Sequence, residues 1–162
     1  MAIPFIEGDA VFRPIATLNH GADPTTRAIG RYARGAAGAY LSLVRRDSAQ
    51  ALEAFDSLDP DGCPACYLDR LTRAQLLTAR GRDREAWAIV NAEHASFTLS
   101  PFPTSVLWVL LRGRVAERLG DGETALRSYG WVAGMWRHAD APLQPYVTEA
   151  REGLARLSGE TR

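Results

Sequence analysis

The sequence predicts an all-α chain built from antiparallel helix pairs, and three observations carry that prediction. Beyond residue 23, apolar side chains recur at spacings of three and four, the period of one helical face. No two-residue hairpin turn separates alternating strand-like segments anywhere in that stretch. A pattern of small residue, turn and alanine also repeats along the chain at offsets of 35 and 39 residues.

The elements follow in order. Asp23 is expected to cap a first helix with Pro24 at its first position, where a missing N–H costs nothing. Ile29, Tyr32, Ala36, Tyr40 and Val44 continue its apolar side. Asp47 or Ser48 caps a second helix bearing Ala51, Leu52, Phe55 and Leu58, and Asp59-Pro60-Asp61-Gly62 ends it. Pro64 opens a third helix with Leu68, Leu71, Ala74 and Leu77. Gly81 turns the chain, and Asp83 is expected to cap a fourth helix carrying Ala86, Trp87 and Val90. After the loop Ser100-Pro101-Phe102-Pro103, Thr104 or Ser105 caps the apolar helix Val106–Leu111, which runs on to Leu119. Gly120-Asp121-Gly122 turns into a helix with Ala125, Tyr129 and Val132, and a final helix over 143–158 shows Val147, Ala150, Leu154 and Leu157.

The pairs superpose. Ala51, Ala86 and Ala125 each lie five residues after a turn position, namely Arg46, Gly81 and Gly120. Ala39, Ala74 and Gly113 lie seven residues before those turns, small enough for two helices to approach closely. Phe55, Val90 and Tyr129 follow the alanines by four, on the same helical face. On Gly113, Gly120, Ala125 and Tyr129, and less fully on Ala74, Gly81, Ala86 and Val90, the sequence resembles the tetratricopeptide repeat (TPR). In the first pair Arg46 replaces the turn glycine, and the motif's early tryptophan, helix-A tyrosine and closing proline are missing. The resemblance implies a TPR-like α-solenoid of three antiparallel helix pairs, repeats at about 24–60, 63–97 and 104–138, with 143–158 as a C-terminal capping helix. It covers about residues 24–137, within an expected helical repeat domain 23–162. The phrases Gly81–Ala86 and Arg114–Asp121 also resemble the C-terminal repeat region of large bacterial regulators, which implies a repeat part separate from any kinase, cyclase or DNA-binding domain.

Composition excludes several functions. The chain has 162 residues, 46% of them hydrophobic, which suits one folded domain rather than disorder. Nineteen arginines balance nineteen acids, so nothing draws the whole chain to nucleic acid or an anionic membrane. With no lysine, Schiff-base and P-loop chemistry are out. No apolar run approaches the roughly 20 residues of a membrane span, and Met1–Glu7 is no secretory signal, so a cytoplasmic location is expected.

The candidate chemistry is sparse. Cys63-Pro64-Ala65-Cys66 is the sharpest feature: with Pro64 at the first helical position, Cys63 would be the N-cap and both sulfurs would sit in the first turn, close enough to bridge. Inert thiols, a local disulfide or redox pair, and a metal or intermolecular link are all open. His20, His94 and His138 show no metal or catalytic spacing, and Asp59 and Asp61 read as turn residues. Arg70, Arg73, Arg80 and Arg84, with Arg82 between, and Arg112, Arg114 and Arg118 make basic clusters that are either solvated or recognise an acidic peptide or carboxylate. Gly130 and Gly134 interrupt a helix, which calls for a close helix contact; Trp131 and Trp136 beside them are either core or a binding hot spot. The apolar arm 1–22, with Pro4 and Pro14, is expected to dock on its own first pair or on a second copy. The expected function is a non-catalytic scaffold without cofactor or metal, binding a protein or peptide. The alternatives are an architectural subunit that self-assembles through residues 1–22, and a redox-sensitive module using Cys63 and Cys66.

Overall fold

The computed structural model describes residues 23–59, 62–63, 66–92 and 103–159. The apolar arm 1–22, with the docking and self-assembly assigned to it, lies outside them, as do His20, His94 and Asp61. Among the described residues every regular element is helical: α1 Pro24–Val44, α2 Ser48–Asp56, α3 Tyr67–Ala79, α4 Asp83–Val90, α5 Pro103–Arg118, α6 Gly122–Met135 and α7 Gln144–Gly159, with a 3-10 turn Ala141–Leu143 before α7. The chain divides into two compact units between Asp69 and Arg70.

In the first unit, Asp23 caps α1 by accepting hydrogen bonds from the Thr25 and Thr26 amides at 2.9 and 3.1 Å. α1 packs against α2. Tyr32, Ala36, Ala39, Ala51, Leu52 and Phe55 are buried, and the Tyr40 ring meets Phe55 edge-on at 5.3 Å.

The turns after α1, α3 and α5 share one geometry. Arg46, Gly81 and Gly120 have φ of 62°, 70° and 82°, the left-handed region that ends a helix. At each turn two amides reach back to the helix just finished: Asp47 to Ser42 O and Arg46 to Leu43 O, Arg82 to Leu77 O and Gly81 to Thr78 O, Asp121 to Ala116 O and Gly120 to Glu117 O. This is the Schellman arrangement, and it forms even where arginine replaces glycine. Asp47 and Asp121 then cap α2 and α6, accepting from the Gln50 and Thr124 amides.

The second unit is built around α5, which packs on α4 and α6, while α6 packs on α7. Val106, Trp108, Val109, Leu110, Leu111, Val115 and Ala116 are all buried along α5. The indole N–H of Trp108 donates to Val90 O at 3.0 Å, fixing the end of α4. The Tyr129 ring lies between two glycines. A Cβ on Gly113 of α5 would come within 3.0 Å of it, and one on Gly153 of α7 within 2.5 Å. Val132, Trp136, Val147 and Ala150 complete this core.

Several boundaries differ from the sequence reading. α3 starts at Tyr67, not Pro64, because the Cys66 amide bonds to Cys63 O in a separate turn ahead of the helix. Neither cysteine therefore lies in the first helical turn. Asp83 is the first residue of α4 and not its cap; Arg82 holds the cap position and its guanidinium pairs with Glu85 instead. α5 begins at Pro103, ahead of Thr104 and Ser105, since proline fits a first turn that has no use for its N–H. α4 ends at Val90 and α6 at Met135, inside the repeat limits of 97 and 138.

Candidate functional site

An open groove of about 400 Å³ lies in the second unit. It is lined by Gln75, Thr78 and Ala79 of α3, Leu111, Arg114, Glu117 and Arg118 of α5, Tyr129 of α6, and Glu149 and Arg156 of α7. Apolar periodicity aims Leu111 inward, and helical spacing then puts Arg114 and Arg118, three and seven residues on, beside it at the groove wall.

The charges of this wall are paired. Both guanidinium arms of Arg114 donate to the two oxygens of Glu149. Arg156 forks onto Glu117 at 3.0 and 3.1 Å, and Glu117 also accepts the Tyr129 hydroxyl at 2.6 Å. Arg118 donates to Thr78 O at 3.1 Å and to Asp83 at 3.3 Å. The Arg156 guanidinium, helped by the Tyr129 hydroxyl, holds the Glu117 carboxyl below the usual carboxylate range against the opposing effect of burial. Burial first, and its bond to Glu117 second, push the Tyr129 phenol well above the ordinary tyrosine value. Glu149 raises Arg114, and Glu117 raises Arg156.

Of the basic clusters read from the sequence, Arg114 and Arg118 line the groove; the other residues singled out lie elsewhere. Arg70 and Arg73 are half-buried on α3, and Arg80 is exposed at its end, reaching back toward Leu76 O at 3.4 Å. Arg112 donates to Asn91 at 3.0 Å with its guanidinium 5.9 Å from the Trp87 ring. None of the four lines the groove. Trp136 is 7% exposed and its ring packs on Tyr146 at 6.0 Å, so it faces the core, and Trp131 is half-buried against the same cluster. The close helix contact expected at Gly130 and Gly134 is not there: a Cβ on either would meet nothing within 4 Å. His138 is exposed beyond the end of α6. Cys63 and Cys66 are joined in a disulfide, their Cα atoms 5.4 Å apart. Among the described residues no cluster of three His, Cys, Asp or Glu could hold a metal, and no helix is long and apolar enough to cross a membrane.

Sequence reasoning missed Glu117, Tyr129, Glu149 and Arg156 as wall residues. No signal in the sequence paired them: Arg114–Glu149 and Glu117–Arg156 join the same two helices at separations of 35 and 39, so no single offset relates them. No protein family, curated protein or solved structure shows detectable similarity to the chain.

Proposed function

We propose that the chain is a TPR-like helical repeat protein, three antiparallel pairs and a capping helix, that serves as a non-catalytic scaffold and takes a peptide segment of a partner protein into the α3–α5–α7 groove. The observation that carries this reading is that α3, α5 and α7 together line one open groove. That is what stacked repeats produce when equivalent faces point the same way. The three matching turns support it.

The chemistry of the wall suits binding. A volume of about 400 Å³ has room for a few side chains of an extended segment, with Ala79 as apolar surface between fixed donors and acceptors. A general acid or base works best with a pKa near the working pH. Here Glu117 is pinned ionised, Tyr129 is pinned protonated, and Arg114 and Arg156 are pinned cationic by their partners.

Selection from a displayed random peptide library, followed by binding measurements on groove variants, tests the proposal. Ala79 is exposed at the groove edge. Ala79→Arg should block the groove and lower the affinity of selected peptides at least tenfold, while Gly130→Ala, outside the lining, should leave it unchanged. Peptides that bind both variants equally would refute the groove as the site.

A further inference from the structure

We infer that the Cys63–Cys66 bond is a reversible redox site that sets the order of the start of α3, independently of the groove reading. The bond closes a loop with a sequence separation of 3. Disulfides constrain the unfolded chain less as the loop shortens, so the global fold does not depend on this one. Both cysteines are partly exposed, within reach of a small dithiol. Cys66 directly precedes Tyr67, the first residue of α3, where free N–H groups and the helix dipole stabilise a thiolate.

The surroundings confine the effect. Before the bond, the Gly62 amide donates to Asp59 O at 3.0 Å and Gly62 lies against the Tyr32 ring, which a Cβ there would approach to 3.1 Å. After it, Asp69 in the first turn of α3 accepts the Tyr40 hydroxyl at 2.8 Å. The disulfide thus lies between two anchors on α1. Opening it frees the turn between them and leaves both in place.

The exchange is a two-electron, two-proton reduction. One thiolate of an external dithiol attacks a cysteine sulfur, the S–S bond breaks, and a mixed disulfide forms. The second thiol of the reagent then displaces the cysteine. Cys63 and Cys66 end as thiols and the reagent as its cyclic disulfide; the reverse reaction consumes that disulfide.

The test equilibrates the full chain in buffers of graded reduced and oxidised dithiothreitol, traps thiols with a maleimide mass tag, and follows circular dichroism and amide exchange. The expected result is complete interconversion with helicity retained. Protection of amides 70–73, the first to be hydrogen-bonded within α3, should fall at least threefold on reduction while that of α5 is unchanged. A variant with both Cys63→Ser and Cys66→Ser should hold the reduced value in every buffer. Thiols that stay free in oxidised buffer, a bond that opens only with global unfolding, or equal protection in both states would each overturn the inference.

Discussion

Tyr129 shows how much one side chain can organise. Its ring fills the space left by the missing Cβ atoms of Gly113 and Gly153, and its hydroxyl ends on Glu117. Gly153→Ala would drive a methyl to 2.5 Å from the ring and should destabilise the protein by about 1–3 kcal/mol in denaturant melts. The exposed helical glycines should respond with the opposite sign. Gly130→Ala and Gly134→Ala meet nothing within 4 Å and should each stabilise by about 0.5–1 kcal/mol. The Tyr129 phenol holds its proton past the pH near 10 at which an unfolded tyrosine releases one. Above that pH the native state binds more protons than the unfolded state, so this contribution to stability is complete below it and declines as pH rises. Absorbance of the phenolate against pH should show a tyrosine ionising above the ordinary tyrosine value. Tyr129→Phe should abolish that late step. The small residues of the sequence pattern were legible one by one, since Ala39, Ala51, Ala74, Ala86 and Ala125 are all fully buried. The ion-pair partners were not, because local periodicity says nothing about residues 35 or 39 positions away.

Among elements, the turns are the most regular. Arg46 adopts a backbone conformation that costs a residue with a Cβ about 1–2 kcal/mol. Arg46→Gly should therefore raise stability by about 0.5–1 kcal/mol, part of the relief being offset by the freer unfolded chain. Gly120→Ala should lower it by about 1 kcal/mol, and thermal melts of the two variants provide the comparison. α5 is the helix around which its unit packs. Leu110 is 1% exposed, and Leu110→Ala should cost about 2–5 kcal/mol in denaturant unfolding. The apolar run Val106–Leu111 made that helix plain in the sequence, but its first turn was hidden because Pro103 reads as part of a proline-rich loop. Likewise Pro64 invited an early start to α3 that the Cys63–Cys66 turn occupies.

At the scale of the molecule, the second unit is closed by its last helix. Val147, Ala150 and Gly153 face the core, while Pro145, Thr148, Arg151, Glu152, Ala155 and Ser158 face water. Truncation after Asp140 would uncover Tyr129 and Val132. It should lower helicity by more than the residues removed and produce aggregation, read by circular dichroism and light scattering.

The pairing of the groove's charges has a kinetic consequence. Arg114, Arg118 and Arg156 are each matched by a carboxylate within hydrogen-bonding reach, and the whole chain is neutral at pH 7. Matched pairs cancel at a distance, and at about 0.15 M salt any residual field fades within roughly 8 Å. An approaching peptide is then not steered from afar. Its association rate should stay in the unassisted range, about 10⁵–10⁶ per molar per second, and change little between low and high ionic strength.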